Sequence, residues 1–99
     1  MAQKTYYVYL LTNKNKTTLY CGVTNNLVRR LGEHNEGLSR GFTYQYNCHY
    51  LVYYEQFASI LMAIAREKEI KGWRRQKKNN LIVKTNPECK FLNGEVLKP

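Results

Sequence analysis

LYCGVTNNLVRRLGEH, residues Leu19 to His34, begins as a β-type run, passes through a glycine and two asparagines, and ends with helix formers. Leu19–Val23 carries the β-branched and aromatic content of a strand. Thr24 or Asn25 can cap a helix, Leu27 and Leu31 stand four apart on its inward side, and Gly37 supplies a stop, so the helix is predicted over about residues 25–35. Upstream, Tyr6–Thr12 (YYVYLLT) is a second β-type run, separated from the first by the polar turn Asn13-Lys14-Asn15-Lys16. Two such runs across a short polar segment read as a hairpin. Alternation then puts Tyr7, Tyr9 and Leu11 on one face of the first strand and Thr18, Tyr20 and Gly22 on one face of the second. Tyr9 and Tyr20 share a face if the register allows.

Downstream, Leu38 to Asn47 reads as a loop whose Arg40 is a candidate ligand contact, and Cys48 to Phe57 reads as a third strand. Ser59 can cap the next helix, which runs through Ile64, Glu67 and Ile70 to Gly72. The basic stretch Trp73 to Lys78 either extends it or opens another, with a short helical stretch around Asn80 to Lys84. With Pro87 and Gly94 in it, the end of the chain reads as loosely ordered, which divides the sequence into a domain over 1–84 and a tail over 85–99. The simplest architecture is α+β: a small antiparallel sheet flanked by helices.

Ninety-nine residues allow one domain with one modest core. Sixteen basic side chains against seven acidic ones give a formal charge of +9, a field that attracts polyanions: nucleic acid, or an anionic membrane surface. No stretch of 18 apolar residues occurs, and Met1 to Tyr6 has no apolar signal core, so no membrane role and a soluble, cytoplasmic protein are expected. Cys21, Cys48 and Cys89 are odd in number, far apart and without a C-x-x-C pair, which reads as free thiols in a reducing compartment. With His34 and His49 the only histidines, a structural zinc cage lacks ligands.

Three features resist an ordinary reading. Glu67 falls in the middle of the apolar stripe of Ile60, Ala63, Ile64 and Ile70, where a carboxylate needs a cation, a strong donor or an opening to water. A salt bridge with Arg30 or Lys71 would satisfy it, and so would a functional role. Arg30 and His34 stand at i and i+4 beside the leucine stripe of the first helix, two donors at the edge of the sheet. Gly22 at a strand end suits either close approach of a phosphate or tight packing. Around them, Arg66, Lys68, Lys71, Arg74, Arg75, Lys77 and Lys78 put seven cations into thirteen residues, a density that favours phosphate contact.

Tyr7-Val8-Tyr9, then Tyr20-Cys21-Gly22, then Arg30 and His34 on one helix and Glu67 within Ala65 to Lys71 on another, together resemble the GIY-YIG nuclease superfamily, over roughly Lys4 to Val83. The likeness is strongest to its small stand-alone bacterial members. Tyr7 stands where the first motif has glycine and Cys21 where the second has an aliphatic residue; neither side chain carries the chemistry. The resemblance implies a three-stranded antiparallel sheet with helices around it and a metal-dependent DNA endonuclease of repair or recombination, with Mg²⁺ or Mn²⁺ held by Glu67. By position it assigns Arg30 as the clamp on developing phosphoryl charge, Tyr20 as general base or water-positioner, Tyr9 as its hydrogen-bonding neighbour, and His34 to the water, a phosphate or proton transfer. Asn79 or Asn80 would match an asparagine used by some relatives. Gly22, Arg40, Lys71, Arg74, Arg75, Lys77 and Lys78 are the expected nucleic-acid contacts. The sequence shows no added DNA-recognition domain, which leaves substrate choice open; the expected partners are DNA, branched or damaged, and a partner protein supplying specificity, with the chain a monomer or weak dimer. The competing class is a non-catalytic nucleic-acid-binding module using the basic helix and tyrosines, with a protein-interaction module as a third reading.

Overall fold

In the computed structural model the described residues are 4–35 and 47–97, the side chains of His34 and Asn35 excepted. Strand β1 (Tyr6–Thr12) and strand β2 (Leu19–Thr24) pair antiparallel with Tyr9 opposite Gly22 and Leu11 opposite Tyr20. The turn between them is held by one side chain: Asn13 Oδ1 accepts from the N–H groups of Thr17 (2.8 Å) and Thr18 (3.2 Å), and Asn13 Nδ2 donates to Thr17 Oγ1. Asparagine suits this place because its short amide can satisfy neighbouring backbone groups.

Strand β3 (Tyr50–Phe57) lies on the other side of β1, giving the order β2-β1-β3, all antiparallel. The fold is therefore the expected α+β arrangement of three strands with helices around them. One irregularity matters. Leu11 pairs with Leu51 and Leu10 with Tyr53, so Val52 is an extra residue, a β-bulge. Leu51 packs on one face, whereas Val52 and Tyr53 both pack on the other.

Helix α1 (Leu27–Asn35) starts two residues later than predicted. Neither Thr24 nor Asn25 caps it: Asn26 Oδ1 accepts the Arg29 N–H at 3.0 Å, while the Thr24 hydroxyl is engaged at the strand end, accepting from the Asn26 N–H. Helix α2 (Ile60–Lys71) has the expected limits, with Ser59 Oγ accepting from Met62 N–H and Gly72 closing it. Residues 75–85 form one helix, α3 (Arg75–Thr85), rather than an extension and a separate short stretch. Arg74 is extended at its start, which breaks the run after Gly72, and the Arg, Gln and Lys that follow are good helix formers.

The segment expected to be a loose tail departs from that expectation. Asn86 is buried and bonds the Val52 carbonyl (3.0 Å), the Lys90 carbonyl (2.9 Å) and the Lys90 N–H (2.9 Å). Asn93 opens a last turn, α4 (Asn93–Val96), and bonds the Leu51 N–H and the His49 carbonyl. Composition misleads here because two amides supply tertiary hydrogen bonds that no local pattern announces.

Helices cover both faces of the sheet. Ala63, Ile70 and Ile82 from α2 and α3 pack on Val8, Leu10, Cys21, Val52 and Tyr53. Leu27 and Leu31 from α1, with Leu92 and Val96, pack on Tyr9, Leu11 and Leu51. All three cysteines lie outside any disulfide, with Cys21 and Cys48 buried and Cys89 partly exposed. Among the described residues no helix is long and apolar enough to cross a membrane.

Candidate active site

The hairpin register brings four of the expected residues together. Tyr9 is buried, and its ring lies 6.3 Å from that of Tyr20 on the α1 face of the sheet. Gly22 is directly across the pair from Tyr9. A methyl group there would stand 2.5 Å from the Tyr9 hydroxyl oxygen and 3.0 Å from Tyr20 Cε2. Gly22 is thus buried beneath two phenols, and their packing by itself requires a glycine there. Arg30, one turn into α1, donates from Nε to the Tyr9 hydroxyl oxygen at 3.3 Å and from Nη1 to Glu33 Oε1 at 3.2 Å.

The electrostatics of this group follow from burial. Loss of water pushes the Tyr9 hydroxyl up to about 12, against the opposing influence of the Arg30 guanidinium. The hydrogen bond to Tyr9, despite partial burial, holds Arg30 above its already high ordinary value. At neutral pH the pair is thus a neutral phenol beside a permanent cation. Arg30 does not turn Tyr9 into a phenolate.

Glu67 approaches from α2, which packs on the other face of the same hairpin. Its backbone carbonyl is 4.0 Å from Cys21 Sγ, the residue between Tyr20 and Gly22. β2 therefore lies between α2 on one face of the sheet and the tyrosines on the other. The Glu67 side chain is 16% exposed and its Oε1 lies 3.4 Å from Lys71 Nζ, one of the two salt-bridge partners expected for it. The surroundings push the Cys21 thiol up to about 11, burial first and the Glu67 charge second. Among the described residues no three His, Cys, Asp or Glu side chains gather as a metal cage. A single half-buried carboxylate at the rim of a strand suits a hard cation that keeps most of its waters.

The basic stretch divides by what each side chain does. Arg75 is spent within the fold: its guanidinium donates to the Lys16 and Thr17 carbonyls at 2.9 Å each and to Asn79 Oδ1 at 3.1 Å. Lys77 Nζ sits 4.3 Å above the Trp73 ring, and Arg66 covers the same indole at 5.1 Å. Lys71, Arg74 and Lys77 are exposed and Lys78 is partly buried. His34 lies on α1, but its side chain falls outside the described residues, as does Arg40.

The sequence reading missed a network beside Glu67. Arg66 forks onto Glu55, with Nε 3.1 Å from Oε1 and Nη2 3.0 Å from Oε2, and reaches Glu69 with Nη1 at 2.7 Å. The Tyr53 hydroxyl donates to the same Glu55 carboxylate. Spacing along α2 could have hinted at Arg66 with Glu69 as an i,i+3 pair, but Glu55 arrives from β3 and has no local signature.

Comparison with known proteins bears on the family of the chain as a whole. The family model described as the GIY-YIG catalytic domain matches residues 5–80. A UPF0213 protein of Natronomonas pharaonis is 40% identical over 78% of this chain and 89% of its own length, and one of Staphylococcus haemolyticus is 39% identical over 78% and 93%. The solution NMR structure of a UPF0213 protein from Bacillus halodurans superposes with a TM-score of 0.56 at 30% identity, covering 85% of this chain and 88% of that one. With a match across most of its length and relatives of this identity, the chain belongs to the GIY-YIG catalytic domain family.

Proposed function

We propose that this protein is a metal-dependent DNA endonuclease that hydrolyses phosphodiester bonds at the hairpin face formed by Tyr9, Tyr20 and Arg30. The observation that carries the reading is the Arg30–Tyr9 hydrogen bond beside Tyr20, in a chain of this family. A permanent cation fixed by a buried phenol is suited to charge that develops on a phosphoryl oxygen, since it needs no reorganisation when the reaction occurs. Tyr9, neutral and already accepting from Arg30, keeps its own proton to donate, which fits a residue that orients its neighbour. Tyr20 then positions the attacking water, whose proton passes to solvent as the bond to phosphorus forms.

Glu67 would hold Mg²⁺ or Mn²⁺, and the ion when bound would neutralise phosphoryl oxygens and lower the pKa of a coordinated water. Its salt-bridge partner among the described residues, Lys71, is half exposed, and such ion pairs exchange at little cost. Lys71, Arg74, Lys77 and Lys78 offer backbone contacts to a polyanion. Branched or damaged DNA is the substrate class proposed.

The test is a panel of plasmid, branched and single-stranded DNA incubated with Mg²⁺, Mn²⁺ or EDTA, with Glu67→Gln in parallel. Metal-dependent cutting abolished in Glu67→Gln, with DNA affinity kept within a few-fold, is the expected result. A variant that cuts as fast as the parent removes Glu67 from the site. Binding without cutting on every substrate supports instead the non-catalytic module, which composition alone fits equally well.

A further inference from the structure

β3 is the second edge of the sheet, and its outer side is closed over only part of its length. At Leu51 and Val52 the end of the chain supplies partners: Leu51 N–H goes to Asn93 Oδ1 (2.7 Å), the Leu51 carbonyl takes the Leu92 N–H (2.7 Å), and the Val52 carbonyl takes Asn86 Nδ2 (3.0 Å). Beyond them, Tyr53 to Phe57 line one side of an open cleft of about 850 Å³, and residues 85–88 with Lys90, Leu92 and Glu95 line the other. Successive strand residues point to opposite faces, so five in a row can border one cleft only where it follows the backbone edge. Among the described residues no strand pairs with that edge.

We propose that this edge is a docking site for an extended basic peptide of a partner protein, which joins the sheet as a fourth strand. An open edge offers a row of backbone donors and acceptors, and strand addition uses them directly. The free stretch is five residues, about 16 Å at roughly 3.3 Å per residue, enough for a short peptide strand. The chemistry of the walls selects the occupant. In a chain of net charge +9 with no aspartate, the described residues bordering this cleft set Glu55, Glu88 and Glu95 against one cation, Lys90. Arg66 already neutralises Glu55, but Glu88 and Glu95 are exposed, and the Glu88–Lys90 pair (3.2 Å) lies open to solvent. With Glu55 paired to Arg66 and Glu88 to Lys90, Glu95 leaves the walls slightly acidic in a strongly basic chain, which argues against phosphate here. They also argue against a second copy, because edge-to-edge pairing of two identical strands would set the acidic walls against each other. Lysine or arginine side chains on an added strand would meet Glu88 and Glu95. Since β2 borders the opposite side of the sheet, a peptide on β3 and a nucleic acid at the hairpin can be held together, and this inference stands whether or not the protein cuts DNA.

The experiment follows backbone amide signals of the full chain by NMR during titration with a synthetic heptapeptide of alternating lysine and valine. Two further peptides carry N-methyl groups at every second amide, one on each edge of the strand. Expected are shifts at Tyr53–Phe57 and at residues 88–95, a loss of about ten-fold or more in affinity for one methylated peptide, and a several-fold loss in Glu88→Gln/Glu95→Gln, whose exposed side chains leave the fold intact. Four results each overturn the proposal: no shifts at large peptide excess, shifts on Lys71–Lys78 instead, indifference to both methylated peptides, or the same amides shifting with protein concentration alone.

Discussion

Arg30 and Tyr9 constrain each other, and neither role is separable from Gly22 beneath them. The Tyr9 ring occupies the space a Cβ at position 22 would need, so the glycine sets where the phenol stands, and the phenol sets where the guanidinium ends. Arg30→Ala should lower the single-turnover rate by roughly 10²-fold or more, the scale seen when one preorganised charge-stabilising donor is deleted. Unchanged turnover would take Arg30 out of the chemistry. Burial also makes a pH prediction. A tyrosine in the unfolded chain ionises near about 10, whereas Tyr9 in the fold does so near about 12. Between those values the unfolded state has released a proton that the folded state keeps, so stability is full below the lower value and falls as pH rises through the upper one. Cys21, pushed up to about 11, acts in the same direction from a lower starting point. Melting temperature measured against pH should decline from about pH 9 upward, and less steeply in Tyr9→Phe; a flat profile would mean that Tyr9 is not desolvated.

Among the elements, α2 is the one whose orientation matters, because it carries Glu67 on the side of β2 and Arg66 toward β3. The Arg66 fork on Glu55, its bond to Glu69 and its stacking on Trp73 fix the roll of the helix about its axis. Lysine cannot reproduce a planar bidentate contact. Arg66→Lys should therefore cost about 1–3 kcal/mol in chemical denaturation and raise the Mg²⁺ concentration needed for half-maximal cutting, as the roll of Glu67 loosens. Loss of stability with an unaltered metal requirement would show that the fork holds the fold alone. The limits of α2 were legible from sequence because Ser59, the apolar spacing and Gly72 are local signals. The strand β3 was legible in extent but not in facing: alternation alone puts Leu51 and Tyr53 on one side, and the extra residue Val52, which exists only relative to β1, separates them. In the same way a run of cations says nothing of which one is consumed by carbonyls of a distant turn, as Arg75 is.

At the scale of the molecule, the motif residues on the hairpin and α1 were readable because strand alternation and helix spacing place them without knowledge of the rest. The network of Glu55, Arg66 and Tyr53, and the part played by Asn86 and Asn93, were not, since each joins residues distant in sequence. Charge is also distributed unevenly: exposed Lys71, Arg74 and Lys77 cluster at the junction of α2 and α3, while the cleft along β3 is bordered by acids. Affinity for DNA should fall steeply with salt through released counterions, and replacing Arg74 or Lys77 by alanine should reduce the slope of log affinity against log salt by about one each. A slope unchanged in both variants would move the contact surface elsewhere. The three thiols differ in a way that serves all of these measurements. Cys21 and Cys48 are buried and held in the protonated form by their surroundings, whereas Cys89 is partly open and faces away from the β3 cleft, lining a small pocket with Lys16, Arg75 and Asn79 where the β1–β2 turn meets α3. A maleimide dye added near neutral pH will therefore report from a single place in the unaltered sequence, and its emission will register anything that settles beside it.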